Sequence, residues 1–249
     1  MSPDLRSPIG NAPIHHTTES ASTMDDARRL VRGGAPSGTV VVTDYQSEGR
    51  GRRAGRHWHS APGESLMFTL ALEQPREPVT RSLVMAASVA LVLEERFGLE
   101  VAVKWPNDVL VRGRKICGIL ADHESGWLYL GVGLNVRQAS FPAELAPHAT
   151  SIRLACAGSD RPEICKVSDT FLLMNLLERF KNLGDRWHDV LSARLWRRGE
   201  QVDVVVPGGS PIHGRITGIE RDGRLIVSGD RVHRLAAGEV SLSRKAPDA

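Results

Sequence analysis

Cysteine, lysine and aromatic side chains are scarce in this chain of 249 residues, and each shortage excludes something. Cys117, Cys156 and Cys165 form an odd set without Cys-x-x-Cys spacing or a neighbouring histidine cluster, so neither a disulfide framework nor a metal site is expected. No apolar run reaches the roughly 18 residues of a membrane-spanning helix, and the N-terminal stretch carries no apolar leader core. A cytoplasmic protein without a membrane partner is the expectation. Only five lysines, at positions 104, 115, 166, 181 and 245, stand against 27 arginines. Genomic composition accounts for part of that imbalance, so the net charge of +3 says little about nucleic acid. The rare lysines are individually more telling. No repeat or low-complexity tract is present, and 41% hydrophobic with 24% charged residues is enough for a packed core.

What is concentrated is arginine among glycines. Gly49-Arg50-Gly51-Arg52-Arg53-Ala54-Gly55-Arg56 follows the strand-like run Thr39-Val40-Val41-Val42-Thr43. Guanidinium forks match phosphate or carboxylate oxygens, and glycine lets backbone approach a ligand closely, so the segment reads as an anion-binding loop. A solvated basic loop or a nucleic-acid contact is the competing reading.

The spacing predicts a helix from Ser22 to about Val31, with Ser or Thr as N-cap, after a short irregular arm. Strands are expected at 39–44 and 66–72, then a long buried helix from Thr80 to Phe97 stopped by Gly98. Four strands follow: Val101–Trp105, Val109–Val111, Ile116–Ala121 and Leu128–Val136. Residues 169–195 read as helical, with Phe171, Leu172, Leu176, Leu177, Phe180 and Leu183 as an apolar stripe. After Arg197-Arg198-Gly199, short β runs separated by Gly208-Gly209, Asp222-Gly223 and Gly229-Asp230 suggest a small barrel of SH3-like size. These patterns divide the chain into a larger unit at 1–198 and a smaller one at 199–249.

Lys104-Trp105-Pro106-Asn107-Asp108 ends a strand with an amide and a carboxylate at its mouth. Asn107 is suited to a purine edge, and Asp108 to a metal, an amine or a proton, although Pro, Asn and Asp also make a plain turn. Lys115 heads the next strand, where an ammonium would offset the repulsion between an attacking carboxylate and a polyphosphate. Gly118 suggests close approach of a flat ligand, or a bulge. Gly131-Val132-Gly133-Leu134-Asn135 repeats the pattern without the third glycine of a dinucleotide fingerprint.

Ser22-Thr23, Gln46, the Gly49 to Arg53 loop followed by Trp58, Lys104 to Asp108, Lys115 with Gly118-Ile119-Leu120, and Gly131 to Asn135 stand in the order and approximate spacing of the biotin protein ligases. The chain resembles that family from about residue 15 to 240. The resemblance implies an α+β fold, a mixed and mostly antiparallel sheet flanked by helices, of the class II synthetase-like biotin/lipoate ligase type, with a C-terminal SH3-like β-barrel. It implies an enzyme that uses biotin and MgATP to form biotinyl-5′-AMP and pyrophosphate, then biotinylates a lysine of a biotin carboxyl carrier domain. Ser22, Thr23, Gln46, Gly118 and Gly131 would line the biotin pocket, within the ligand-binding set that also takes in Gly49, Gly51 and Lys104. Arg50 and Lys115 would grip the carboxylate and the α-phosphate, Arg52 and Arg56 would cover the adenylate, and Trp58, Asn107 and Asn135 would contact adenine. Asp108 would sit near the acceptor lysine, making Lys115, Arg50, Asp108 and Arg52 the catalytic set.

Met24 departs from the family's usual Ser-Thr-Asn, and Ala54 lengthens the arginine loop by one residue, which leaves the part played by Arg56 open. Lipoate or octanoate ligases share the chemistry but carry an Arg-Arg-x-Ser-Gly-Gly-Gly segment absent from this sequence. A basic nucleic-acid module would leave the lysine and asparagine motifs idle. Regulatory family members carry an N-terminal winged helix, which the irregular residues before Ser22 do not suggest; a single-function monomer or homodimer without specific DNA binding is expected.

Overall fold

The computed structural model describes residues 1–2, 4–52, 55, 57–75, 77–157 and 167–242. Seven strands form one sheet: β1 (Ile14–Thr17), β2 (Val40–Thr43), β3 (Ser65–Glu73), β4 (Val101–Lys104), β5 (Asp108–Val111), β6 (Arg114–Glu124) and β7 (Trp127–Asn135). Their order is β1-β2-β3-β7-β6-β5-β4, with β1 parallel to β2 and every other pairing antiparallel. The mixed, mostly antiparallel sheet is the one expected. The segment before Ser22, read as an irregular arm, contains the edge strand β1. Its sequence Ile-His-His-Thr shows no apolar alternation, because only Ile14 of the four is buried.

The helices are α1 (Thr23–Arg32), α2 (Arg81–Phe97), the single turn α3 (Ile152–Ala155), α4 (Asp169–Leu183) and α5 (Trp187–Ala193). Along α2 ten small or apolar side chains are buried, several consecutively, as a helix packed between the sheet and α4 and α5 requires; Gly98 in the left-handed region ends it. In α1 acids occupy the first turn and arginines the last, matching the helix dipole. Ser22 holds the N-cap backbone conformation, yet its side chain makes no capping bond. The expected helix over 169–195 is two helices, because Gly184, at φ 51 and ψ −145, turns the chain into the 3-10 segment Gly184–Arg186. Phe171 is not part of its buried stripe: it is 41% exposed, beneath the Arg96 guanidinium at 5.3 Å.

A second sheet comprises β8 (Gln201–Val205), β9 (Ile212–Ile219), β10 (Leu225–Ser228), β11 (Val232–Leu235) and β12 (Glu239–Leu242) in the order β11-β10-β9-β8-β12. All pairings are antiparallel, and this small sheet is consistent with an SH3-like domain. Among the described residues it remains open, with β11 and β12 as its edges. Its inner residues Val202, Val204 and Ile216 join the same apolar core as Val103 and Leu195. Trp105 Nε1 donates to the Gly223 carbonyl at 2.9 Å, and His188 Nε2 lies 2.8 Å from the Ile219 carbonyl. Among the described residues no helix is long and apolar enough to cross a membrane.

Candidate active site

The chain leaving β2 runs beside the chain entering α1. Ser20 N–H donates to the Tyr45 carbonyl, and the N–H groups of Ser47 and Glu48 donate back to Ser20 and Ala21. This short ladder brings Gln46 to Thr23, whose backbone N–H and hydroxyl both donate to Gln46 Oε1, at 2.8 and 3.1 Å. Thr23 Oγ1 also lies 2.8 Å from Thr69 Oγ1 on β3. The result is a fixed polar end to a pocket lined by Ser22, Thr23, Met24, Gln46, Arg50, Gly51, Arg52, Trp58, Asn107, Lys115 and Gly118 to Leu120, with Gly131 to Gly133.

Glycine shapes the floor. Gly118 and Gly133 face each other in the β6–β7 register. A Cβ on Gly133 would lie 2.7 Å from the Trp58 indole, and one on Gly118 would lie 2.9 Å from Lys115 Nζ. Both positions therefore let an indole and an ammonium rest on bare backbone. Trp58 is held from behind, where its N–H donates to the Gly49 carbonyl at 2.9 Å. Its Nε1 is buried without a partner among the described residues. Met24, next to Thr23, covers the Gly131 part of the floor, with Sδ 3.2 Å from where a Gly131 Cβ would stand.

Three cations border this space. Lys115 Nζ is 2.7 Å from Asp108 Oδ1 and 5.8 Å from the Trp58 ring centroid; its contact with Asp108 is an ion pair without hydrogen-bond geometry. A bulge in the β5–β6 pairing, where Val109 faces Cys117 but Leu110 faces Lys115, sets the start of β6. Lys115 backbone is then clamped on its far side by His148 and Thr150. Arg50 forms a two-pronged pair with Asp25, and Arg52 Nη2 donates to the Gly238 carbonyl at 2.7 Å. Burial pushes the neighbouring Cys117 thiol far above the ordinary thiol range, so it stays protonated and is no nucleophile.

Most of the sequence-predicted residues converge here: Ser22, Thr23, Gln46, Arg50, Gly51, Arg52, Trp58, Asn107, Lys115, Gly118 and Gly131 all line the pocket. Gly49 lies behind Trp58, and Asp108 reaches the site through Lys115. Asn107 Nδ2 donates to the Ile119 carbonyl at 3.2 Å. Asn135 and Lys104 stand apart. Asn135 is buried, its Nδ2 donating to the Thr150 carbonyl at 2.9 Å and its Oδ1 accepting from Gln138 and Ser65. The Lys104 ammonium lies over the Trp196 ring at 5.2 Å. Arg56 falls outside the described residues. Gly133 and Asp25 also belong to the site, and the signals for them in the sequence are the paired glycines of Gly131-Val132-Gly133 and the acid in the first turn of α1. Among the described residues no group of three or more His, Cys, Asp or Glu could hold a metal ion.

Residues 18–137 match the biotin/lipoate A/B protein ligase family, and residues 199–243 match the biotin protein ligase C terminal domain. A biotin--[acetyl-CoA-carboxylase] ligase of Mycobacterium tuberculosis is 34% identical over 230 residues, covering 88% of this chain and 85% of that protein. The bifunctional ligase/repressor BirA of Bacillus subtilis is 39% identical over 158 residues, 59% of this chain; the match spans about half of that longer protein, 48%. Among solved structures, a biotin protein ligase from Aquifex aeolicus in complex with biotin and ATP superposes with a TM-score of 0.75 at 28% identity, covering 93% of this chain and 99% of that one. Two matched segments in the order of the two sheets, together with a relative shared along most of both lengths, establish that the chain belongs to the biotin protein ligases of the biotin/lipoate A/B protein ligase family.

Proposed function

We propose that this chain activates biotin with ATP and transfers the biotinyl group to a lysine of a biotin carboxyl carrier domain. The observation that carries the reading is the convergence of Lys115, Arg50 and Arg52 on one glycine-floored pocket whose far end is the Thr23–Gln46 hydrogen-bonded pair. The amide and hydroxyl groups there suit the ureido ring, and the Met24 and glycine surfaces suit an apolar chain. At the cationic end, a biotin carboxylate oxygen attacks the α-phosphorus of ATP. A C–O–P mixed anhydride forms as the P–O bond to pyrophosphate breaks. Lys115 and Arg50 offset the charge that builds on the reacting oxygens. The acceptor lysine nitrogen then attacks the biotinyl carbonyl, AMP departs, and the amine proton is lost, with Asp108 at the mouth to orient the amine.

Mg2+ enters as MgATP, since such ions keep phosphate and water ligands and need few carboxylates. The reading includes the adenylate-facing roles of Trp58 and Asn107, a division at 198/199 into catalytic and C-terminal units, and a cytoplasmic location. Biotin is favoured over lipoate because the related structure binds biotin and ATP. The deciding experiment is ATP-dependent transfer of labelled biotin to a purified carrier domain, with lipoate as the control acid. Transfer of lipoate at an equal rate would refute the assignment. In the same assay Lys115→Ala and Lys115→Met should slow biotinyl-AMP formation by about 10²–10³-fold, the scale for removing one preorganised charge from a transition state. Adenylation at the wild-type rate would remove Lys115 from the mechanism.

A further inference from the structure

Asp25 is an acid in the first turn of α1, and it ends up between two arginines. Its Oδ1 accepts from Arg28 Nη1 at 2.9 Å and from Arg50 Nη1 at 3.3 Å, while Oδ2 pairs with Arg50 Nη2. Arg28 is nearly buried, lies 5.1 Å from the Tyr129 ring centroid, and is bound besides Asp25 by Asp122 and Glu124 of β6. Three carboxylates thus surround two guanidiniums. The surplus acid draws in a second cation, and the 45–48 ladder beside α1 delivers Arg50 to it.

We propose that Asp25 is a positioning residue for the ligation site, whose carboxylate holds the planar fork of Arg50 in a set orientation at the pocket mouth. The pair is half exposed, so its effect on global stability is small and its effect on geometry is what matters. An arginine on a glycine-flanked loop has many rotamers, and a bidentate partner on a helix removes most of them. Arg28 in turn ties that helix to the β6–β7 hairpin, so Arg50 is registered against the strands that carry Gly118 and Gly133.

This inference rests on the reading of Arg50 as a group that grips the activated acyl phosphate, and the experiment separates the two. Release of biotinyl-AMP is measured for the wild type, Asp25→Asn, Arg50→Ala and the double variant. Asp25→Asn should speed release about tenfold, Asp25→Glu should restore retention, and adding Asp25→Asn to Arg50→Ala should change release less than about twofold. In parallel, tryptic cleavage after Arg50, without any ligand, should be faster in Asp25→Asn than in the wild type. A defect that persists in the Arg50→Ala background, or unchanged release and cleavage in Asp25→Asn, would overturn the positioning role. A wild type that makes no biotinyl-AMP would instead sink the function, while the cleavage comparison would still report on Asp25.

Discussion

At the scale of single residues, the pocket is made as much by missing side chains as by present ones. Gly133 is the sharpest case, because three indole atoms of Trp58 lie within 2.9 Å of where its Cβ would stand. An indole cannot yield by the far end of a flexible chain, so Gly133→Ala must lift the ring off the floor. Overpacking of this kind costs about 1–3 kcal/mol, and a displaced ring is no longer set against the pocket for a ligand to stack on. Gly133→Ala should therefore weaken biotinyl-AMP binding by about tenfold or more and shift the emission difference between the protein and its Trp58→Phe variant. Gly218→Ala is the matched control, since its added methyl meets only Ile226 at 3.9 Å. Equal affinities for both variants would show that Trp58 does not depend on bare backbone beneath it.

At the scale of elements, the arginine loop and the C-terminal sheet meet at one place. Trp105, at the end of β4, donates to Gly223, and its ring lies 3.5 Å from the Cβ position of Gly238, whose carbonyl receives Arg52. Trp105→Phe removes a buried donor and leaves the Gly223 carbonyl unpaired, an expected loss of about 1–3 kcal/mol in urea unfolding. Trp196→Phe, at a partly exposed ring that stacks with Lys104 and Arg197, should cost clearly less. Equal losses would mean that Trp105 does not dock the second sheet. None of this docking was legible in the sequence, where Lys104-Trp105-Pro106-Asn107-Asp108 reads as a ligand turn. That run is shared: Asn107 faces the pocket while Trp105 and Lys104 serve packing. Periodicity revealed α2 and β3 because their burial is nearly continuous, and the turn glycines marked out the short strands of the second sheet. It missed β1 and β12, four-residue strands held by pairing rather than by an apolar pattern. Glycine spacing located Gly118 and Gly131, yet Asn135, two residues past Gly133, turns into the Thr150 loop through contacts that only the tertiary fold creates.

At the scale of the whole molecule, a good part of the arginine excess is engaged by carboxylates. Arg28 is held by three carboxylates, Arg137 by Asp169, Arg179 by Glu95, and Arg194 by both oxygens of Glu94. Arg197 is paired with Glu200, while Arg224 and Arg234 share Glu220. A phosphate backbone would have to displace these carboxylates before gaining their partners. Of the helices, α2 is buried from Leu83 to Ala90 and the Arg28 face of α1 is turned onto β6, so neither of these faces is open to a groove. The expected outcome is weak, sequence-independent DNA binding at physiological salt, in the range of about 10⁻⁴–10⁻⁶ M that backbone attraction alone supplies, and weakening as salt rises. Gel-shift titrations with two unrelated duplexes, repeated across salt concentrations, measure both quantities. Preference for one duplex by about a hundredfold or more would place this chain among specific DNA binders and require a readout surface that its paired arginines do not offer.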